Sequence, residues 1–465
     1  MARTVIRAEW VIEARGDRQI PVRNRAVVIE DGRIADVTAD PPVDAHLIEV
    51  AGGIICPGLI NLHNHTINGP LFRGIVDDLP RRAIGESKVY SMLMPMGALA
   101  MTHLGDADLE ALVAIGLLEV MKSGATTMVD QFRPRQRAIL ELARAWGLRL
   151  YGAPYLFSPA TKVSDASVAA AAQGSFAGET GLSAFEQLFA EFDQGPDGRI
   201  RVILGPHAAD SCAPDLLMAA DRIARERDLL TTIHLAQSQG EVDRVAHERA
   251  MTCADYMASV GLMREGVIFA HGTHLTSSEL AKVAASGAAI ANCASVFLRG
   301  GKSPNFAHFK SHGIRLGIGT DAERMDMLAQ MRTTGFASKQ ATGAGNEGTA
   351  SAMLHAATIE SADILRRPDL GRIAPGARAD LIVVDAMKAH LQPIRDPVRS
   401  LVWYASSADI HTVMIDGRVV VDAGHAVGVD EAAIVLRGRA AAEKLWNEAD
   451  RLGYLPPEAG PATFG

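Results

Sequence analysis

The chain has 465 residues, of which 48% are hydrophobic and 22% are charged. This composition is typical of a folded globular protein and excludes bulk disorder. The net charge of −8 and the lack of a Lys/Arg run argue against a nucleic-acid surface. The sequence has no stretch of about 18 apolar residues, so we expect no membrane span. Its four scattered cysteines form no CxxC pair, which predicts reduced thiols in a soluble, cytoplasmic protein.

The two chain ends carry matching strand patterns. Two short apolar runs flank Asp31-Gly32, a dipeptide that signals a tight hairpin turn. A second pair of runs flanks Asp416-Gly417. Neither end could make a sheet of useful size alone, so we predict one small β-sandwich domain built from residues 1–56 and 372–430.

Residues 57–371 alternate between apolar, strand-like runs and helical stretches. The eight runs cover residues 59–65, 125–130, 148–151, 200–204, 229–234, 267–271, 288–292 and 314–321. Repeated β–α units whose strands are covered on both faces predict an α/β fold, a (β/α)8 TIM-type barrel. A doubly wound sheet is the alternative, and it is disfavoured because no GxGxxG motif follows the first run. Residues 431–465 are expected to add a surface or subunit-packing helix and a tail.

Polar side chains with metal-binding chemistry end several of these predicted strands. His63 and His65 end the first run, and the period of two in a strand puts both on one face. Three further runs end in His234, His271 and Asp321. Because barrel active sites are built at the carboxyl ends of the strands, we expect these five side chains to meet.

Three imidazoles and one carboxylate would suit a borderline divalent ion such as zinc, with room left for water. The predicted ligands are His63, His65, His234 and Asp321. Such an ion lowers the pKa of a bound water and so provides hydroxide as the nucleophile. Asp321 could take up the proton of that water and pass it to the leaving group. No lysine ends the fourth run, so we expect one metal ion rather than a bridged pair.

Other polar residues near the predicted strand ends are weaker candidates. His207 follows the run 200–204 and could contact the substrate, with a purely structural position as the alternative. His274 is expected to be a loop or helix-start residue. A cysteine nucleophile is disfavoured because neither Cys212 nor Cys293 has a base beside it in the sequence.

Seven segments, spread over nearly the whole chain, match the motifs of one known family in their order. They are Pro57-Gly58-Leu59-Ile60-Asn61-Leu62-His63-Asn64-His65-Thr66, Leu71-Phe72-Arg73-Gly74, Ser123-Gly124-Ala125-Thr126-Thr127, Ile233-His234-Leu235-Ala236, Phe269-Ala270-His271-Gly272, Gly317-Ile318-Gly319-Thr320-Asp321 and Pro375-Gly376-Ala377-Arg378-Ala379-Asp380-Leu381. In this set the chain resembles the amidohydrolase superfamily, in its branch of cytosine-deaminase-like and triazine-hydrolase-like enzymes.

The resemblance implies a mononuclear zinc or iron site on the four ligands named above. It also implies that His271 orients the attacking water or polarises the substrate. The implied reaction is hydrolytic loss of ammonia, another amine or chloride from a nitrogen heterocycle. Members of this family form dimers or larger assemblies, so a homodimer or higher homo-oligomer is expected.

Two regions depart from the family pattern. Family deaminases have a glutamate three residues after the third histidine, whereas this chain has Gln237, whose amide can donate a hydrogen bond but cannot carry a proton. Glu241 could substitute for it, and so could His271 together with Asp321, although we expect Glu241 to be a solvated helix residue. The loop after residue 291 also differs, and Arg299 there could meet an anionic or carbonyl group. Arg73, in the second matching segment, is another candidate for substrate contact.

These observations predict a metal-dependent hydrolase that cleaves a C–N bond of a small, heterocyclic substrate, most simply an aminohydrolase. Because of Gln237, hydrolysis of an amide, an N-alkyl amine or a carbon–halogen bond is the alternative within the same fold. A non-catalytic binding or scaffold protein is the alternative of another class. Nucleic-acid and membrane partners are not expected.

Overall fold

The computed structural model describes residues 3–76, 78–79, 89–132, 136–158, 181–303, 305–322 and 324–455. The strands are β1 (Thr4–Arg15), β2 (Arg18–Arg23), β3 (Ala26–Glu30), β4 (Arg33–Thr38), β5 (His46–Pro57), β6 (Leu59–Asn64), β7 (Ala125–Phe132), β8 (Arg149–Leu156), β9 (Ile200–Val202), β10 (Gly205–Pro206), β11 (Thr231–Leu235), β12 (Val267–His271), β13 (Ala289–Asn292), β14 (Arg315–Ile318), β15 (Leu381–Val384), β16 (Ile410–Ile415), β17 (Arg418–Asp422) and β18 (His425–Ala426).

The α-helices are α1 (Asn68–Phe72), α2 (Met94–His103), α3 (Asp106–Lys122), α4 (Gln136–Trp146), α5 (Leu182–Phe192), α6 (Pro214–Glu226), α7 (Gln239–Arg249), α8 (Cys253–Ser259), α9 (Ser277–Ser286), α10 (Ala294–Arg299), α11 (Phe306–Ser311), α12 (Met327–Thr342), α13 (Ala350–Ala356), α14 (Ile359–Ile364), α15 (Pro397–Trp403) and α16 (Glu431–Arg451). A π-helical turn covers Val89–Leu93 and a 3-10 turn covers Ser407–Asp409. Among the described residues, no helix is long and apolar enough to cross a membrane.

Strands from both chain ends share one sheet. Within the described residues it has nine strands in the order β18-β17-β16-β15-β5-β1-β3-β4, with β2 paired to β1. The two ends meet where β15 runs antiparallel to β5, with Leu381 opposite Pro57. Both predicted hairpin turns form, and their four residues take positive φ angles between 50° and 75°, which Asp-Gly pairs tolerate.

The middle of the chain forms a mixed α/β structure with two parallel sheets. One has the order β10-β8-β7-β6, with β9 on β8, and the other has the order β11-β12-β13-β14. Each of the eight predicted apolar runs contains a strand. These strands are buried almost throughout, as expected for parallel strands that are covered on both faces.

Backbone hydrogen bonds join the two parallel sheets at both of their edges. At one edge the N–H of Asp321 donates to His63 O (2.9 Å) and the N–H of His65 donates to Asp321 O (2.9 Å). At the other, the N–H of Thr232 donates to Leu204 O (2.9 Å) and the N–H of His234 donates to His207 O (3.0 Å). The carboxyl ends of β6, β11 and β14 are thereby brought to one place.

A buried ionic cluster fastens the nine-stranded sheet to β8. Arg149 is fully buried, and its guanidinium donates to both carboxylate oxygens of Asp380 (2.9 and 3.0 Å) and to Asp416 (2.7 Å). Removal of one partner from such a buried pair costs about 3–5 kcal/mol, because the remaining charge stays uncompensated. The relative position of the two layers is therefore held by specific polar contacts as well as by apolar packing.

The C-terminal helix α16 packs on α3. Its buried face includes Ile434, Ala441 and Leu445, and at its start Glu431 accepts a hydrogen bond of 2.5 Å from Lys122. Gly438 lies so close to α3 that a Cβ there would be 3.1 Å from the Ala111 carbonyl oxygen. Residues 456–465 of the predicted tail lie outside the described residues.

Candidate metal centre and active site

The end of β6 presents two histidines on one face, as the strand period predicts. The rings of His63 and His65 are 4.7 Å apart and nearly perpendicular. The Asn64 side chain between them instead donates to Thr66 Oγ1 (2.9 Å) and Asp130 Oδ2 (3.1 Å). Asp130 Oδ2 also accepts from the Thr66 N–H (2.8 Å), so this carboxylate holds the turn that follows the strand.

The other predicted groups converge on the same point. The His63 ring lies 4.8 Å from the ring of His234 and 5.1 Å from that of His271. Asp321 Oδ1 is 3.4 Å from His65 Nε2, and Asp321 Oδ2 is 3.6 Å from His271 Nε2. The ligand atoms of His63, His65 and His234 lie within 4.8 Å of one another, as do those of His63, His271 and Asp321.

Hydrogen bonds to backbone carbonyls orient two of the imidazoles. His65 Nδ1 donates to the Gln131 carbonyl, and His234 Nδ1 donates to the His207 carbonyl at 2.6 Å. Because a carbonyl oxygen only accepts, both rings carry their proton on Nδ1 and present an unprotonated Nε2. The two Nε2 atoms are 3.2 Å apart. The edge of a zinc tetrahedron with Zn–N bonds near 2.05 Å is about 3.3 Å, so a metal ion fits both nitrogens.

His63 gives further evidence that a metal ion fits this site. Neither ring nitrogen of the fully buried His63 has a hydrogen-bond partner among the described residues. Burial, and then the neighbouring imidazoles, holds the pKa of His63 well below its usual range, and burial lowers the pKa of His234 to about 4. Neutral imidazole is the form that ligates metals. The donor set therefore suits a divalent metal ion.

Three residues at these strand ends take left-handed backbone conformations. The φ angles are +48° at Ala236, +80° at His271 and +63° at Asp321. A non-glycine residue in the left-handed region of backbone conformations is strained, and it keeps this conformation only where surrounding contacts hold it there. At Asp321 the two backbone hydrogen bonds with His63 and His65 hold this conformation, and they direct the carboxylate towards the imidazoles.

Gln237 and Glu241 lie in different environments from each other. Gln237 lines the cavity at the histidines, and its Nε2 has no partner within the described part of the chain. Glu241 is fully buried, and its carboxylate accepts from the N–H groups of Ala236 (3.0 Å) and Gln237 (2.8 Å). The expectation of a solvated Glu241 is wrong. Helix α7 begins just after β11 ends, so its first turn, which carries Glu241, packs against the end of that strand. Burial, followed by the charge of Asp210, raises the pKa of Glu241 well above its usual value.

A cavity of about 480 Å³ opens onto the metal-binding groups. His207 and Arg299 both line it, as the sequence suggested. The His207 ring stacks on Phe157 at 4.7 Å, and its Nδ1 is 2.6 Å from Ser211 Oγ. Arg73 is not among the residues that line this cavity: it is exposed and forms an ion pair with Glu119. The contact of Arg73 with the substrate therefore stays a prediction without support from the described lining.

Two aromatic residues of the site were missed by the sequence reasoning. Tyr155, near the end of β8, lines the cavity with its hydroxyl 3.4 Å from His65 Nδ1. Phe297 packs edge-on against His271, with ring centroids 4.9 Å apart. Tyr155 is the penultimate residue of a fully buried strand, and a search of strand ends that included aromatic residues would have found it. No local signal marks Phe297, because its place depends on the fold of the loop after β13.

Comparison with known proteins agrees with this geometry. A model of the amidohydrolase family matches residues 54–420. The 5′-deoxyadenosine deaminase of Methanothermobacter thermautotrophicus is 29% identical over 432 residues, which cover 91% of this chain and 95% of that protein.

Two solved structures share the fold. A zinc-bound adenosine deaminase from Xanthomonas campestris superposes with a TM-score of 0.81 at 21% identity, covering 96% of this chain and 99% of that one. The zinc complex of atrazine chlorohydrolase from Arthrobacter aurescens has a TM-score of 0.81 at 22% identity, covering 94% and 100%. With the family match and the converging imidazoles, the chain belongs to the amidohydrolase family and is a metal-dependent hydrolase that acts on carbon–nitrogen bonds.

Proposed function

We propose that this protein hydrolytically removes an amino group from the purine ring of a nucleoside. The observation that carries the proposal is the meeting of four imidazoles and Asp321 at the inner end of a cavity large enough for such a ligand. The choice of a purine nucleoside is supported by the relative that matches 91% of the chain, which is named a 5′-deoxyadenosine deaminase.

The proposed cofactor is a single zinc ion, with iron as the alternative. The residues that would hold it are His63, His65, His234 and Asp321, and the 3.2 Å separation of the two Nε2 atoms supports this choice. The ion, when bound, supplies the activation of the attacking water.

Among the chain's own residues, one would transfer the protons and two others would orient the substrate. Asp321 accepts the proton of the attacking water and passes it to the departing amine. His271, whose Nε2 is 3.6 Å from Asp321 Oδ2, stays neutral because burial lowers its pKa, and it orients the reacting carbon against that carboxylate. Gln237 donates its amide N–H to a ring nitrogen or a carbonyl oxygen, but it carries no proton.

Glu241 is assigned a positioning role rather than proton transfer. Its two oxygens are engaged by the backbone N–H groups of Ala236 and Gln237. It is also not among the residues that line the described cavity. It acts on the reaction only through the direction in which it holds Gln237.

The proposed architecture is a (β/α)8 barrel of residues 57–371 with a small β-sandwich domain of residues 1–56 and 372–430. Support for the barrel comes from the backbone hydrogen bonds that join both edges of the two parallel sheets. Helix α16 and the tail form the third part, residues 431–465. A homodimer is the proposed assembly, on the family resemblance.

A second candidate is hydrolysis of another bond, such as a carbon–halogen or an N-alkyl amine bond. The favouring observation is Gln237 itself, whose unpartnered Nε2 faces the cavity at the position where family deaminases have a proton carrier. A halide is a leaving group of low basicity and departs without a proton, so a carbon–halogen substrate would need no glutamate there, whereas an alkylamine would have to take its proton from Asp321.

Ammonia release and product mass separate these candidates. Zinc-loaded and iron-loaded protein would be incubated with aminopurine nucleosides, aminopyrimidines, pterins and aminotriazines. Ammonia together with a mass gain of about one unit supports deamination. Another amine or a halide as the product supports the second candidate. Retention of full turnover by His63→Ala would contradict both, and a metal-loaded protein without any turnover would favour a binding protein.

A further inference from the structure

Gln131 connects three strands through its side chain and its own carbonyl group. It is the penultimate residue of β7 and is fully buried. Its carbonyl oxygen accepts the hydrogen bond from His65 Nδ1, and its side-chain Nε2 donates to Pro206 O (2.8 Å) and to Thr232 O (3.3 Å). Because β8 lies between β7 and β10 in the sheet, the contact with Pro206 is outside the regular strand ladders. One residue thus ties β7 to both β10 and β11.

The contact with Pro206 reaches His234 through one peptide unit. Pro206 directly precedes His207, whose carbonyl oxygen accepts from both the Nδ1 (2.6 Å) and the N–H (3.0 Å) of His234. The Gln131 amide therefore holds the carbonyl next to the one that orients His234, while its own carbonyl orients His65. The two imidazoles whose Nε2 atoms are 3.2 Å apart are held by the same residue, one directly and one through β10.

Packing alone does not explain a glutamine at this position. The side-chain Oε1 of Gln131 is buried and has no hydrogen-bond partner among the described residues. A buried amide with one unsatisfied group contributes little net stability, because the lost hydration of that group offsets the hydrogen bonds of the other. Gln131 is also not among the described residues that line the cavity, so contact with a substrate does not explain it either.

We propose that Gln131 is a positioning residue that sets the separation of His65 Nε2 and His234 Nε2, and through it the affinity and geometry of the metal site. This inference rests on the metal ion of the proposed function. Without the amide, the carbonyl of Pro206 loses a donor and β10 is free to shift relative to β7. Residues that orient the ligands of a metal ion without touching it typically contribute about 10- to 100-fold to its affinity.

The zinc affinity of Gln131→Met tests this role. Methionine has nearly the length of glutamine but no N–H donor, and the substitution leaves the carbonyl of residue 131 in place. The zinc dissociation constant, measured by competition with a chromophoric chelator, should rise at least about tenfold. The visible spectrum of the cobalt(II)-loaded protein should also change, because it reports the geometry of the ligands. An unchanged dissociation constant together with an unchanged spectrum would overturn the proposal.

Gln136→Met is the matched control. Gln136 is also a buried glutamine, at the start of α4, and its Nε2 lies 3.5 Å from the Asp130 carbonyl oxygen rather than on β10. Both variants remove a buried amide. A merely structural role therefore predicts that both lower the thermal midpoint of the metal-free protein and that neither changes zinc affinity. An equal rise of the zinc dissociation constant in the two variants would overturn the positioning role.

Gln131→Asn is a second variant, which serves if Gln131→Met does not fold. Asparagine keeps the amide but is one methylene shorter, so its N–H groups no longer reach the Pro206 carbonyl. Its zinc dissociation constant should therefore rise as well, by about tenfold, and Gln136→Asn should keep that of wild type. A wild-type zinc affinity in Gln131→Asn would count against the hydrogen bond to Pro206 as the cause and would overturn the proposal.

These readouts separate the positioning role from the proposed function, because metal affinity and the cobalt spectrum are measured without a nucleoside. If no nucleoside is deaminated but Gln131→Met binds zinc more weakly than wild type and Gln136→Met, the proposed reaction fails and the positioning role stands. If nucleosides are deaminated and all three proteins bind zinc equally, the proposed function stands and the positioning role is overturned. A wild type that binds neither zinc nor cobalt would overturn the positioning role whatever its turnover.

Discussion

Glu241 holds the main chain of Gln237 through a hydrogen bond of 2.8 Å from the Gln237 N–H to its Oε2. Its Oε1 accepts a second one, of 3.0 Å, from the N–H of Ala236, the residue that turns the chain with a φ of +48°. Both N–H groups lie just after strand β11 and are buried, and an unpaired buried donor lowers the free energy of unfolding. One carboxylate satisfies both and thereby sets the direction of the Gln237 side chain.

Glu241→Gln should therefore destabilise the protein and weaken the site. An amide can accept one of the two N–H groups but must direct its own N–H2 at the other, so about 2 kcal/mol of unfolding free energy should be lost. The residual activity should have a raised KM and the pH–rate profile of wild type, because Glu241 takes no part in proton transfer during the reaction. Urea unfolding and steady-state kinetics measure both, with Glu248→Gln on the same helix as the control. A missing limb in the pH profile would instead make Glu241 a proton carrier.

Gln237→Glu should convert the site into one with an additional proton carrier. On an aminopurine nucleoside, kcat should rise at least about tenfold, since a positioned general acid contributes 10²–10⁴ in favourable cases. The pH–rate profile should also gain a limb from the new carboxyl group. Gln239→Glu, an exposed position on α7, is the matched control. No gain and no new limb would show that this reaction needs no proton at residue 237.

His63→Ala should abolish tight metal binding. His63 is central to both groups of candidate ligands, and its nitrogens have no other partner in the described residues. Wild type should hold about one ion per chain by elemental analysis, and the variant well below that. Added zinc should raise the thermal midpoint of metal-depleted wild type but not that of His63→Ala. The control is His308→Ala, an exposed histidine on α11. Equal metal content in His63→Ala and wild type would contradict the ligand assignment.

Asp409 should contribute stability that disappears in acid. Burial raises its pKa, but the hydrogen bonds from His390, Lys388 and Ser406 outweigh burial and lower the pKa to about 2. A carboxyl group whose pKa is depressed on folding stabilises the native state above its unfolded value of about 3.9. Its contribution, of about 2 kcal/mol, is lost as the pH falls from about 4 to 2.

Urea unfolding of wild type and Asp409→Asn checks this pH dependence. The difference in unfolding free energy should be present at pH 7 and should shrink as the pH approaches 3. Asp422→Asn, at an exposed position of β17, should show little difference at either pH. A gap for Asp409→Asn that stays constant down to pH 3 would contradict the depressed pKa.

The meeting of the metal-binding groups was predictable from the sequence. Strand patterning is local, and in parallel strands the carboxyl ends share one edge, so the strand pattern alone predicts that His63, His65, His234, His271 and Asp321 lie together. The hairpin turns at both chain ends were predictable for a similar reason, because an Asp-Gly pair indicates the backbone conformation of the turn.

The surroundings of those groups were not predictable. Glu241 has the sequence context of a solvated helix residue, and only the position of α7 under the β11 end buries it. Arg73 lies within a family motif, yet its guanidinium pairs with Glu119 on α3 instead of lining the cavity. Both outcomes depend on how helices pack against strands that are far away in sequence.

The sequence by itself determined the strand periodicity, the residues at the strand ends and therefore the chemistry available to the site. Only the tertiary structure decided which nitrogen of His65 and of His234 faces the candidate metal site, and which charged residues reach the cavity. The physical reason is the distance along the chain over which each kind of interaction acts. Strand period and turn conformation are set by neighbouring residues, whereas hydrogen-bond partners and burial are set by long-range packing, which one chain pattern can satisfy in several ways.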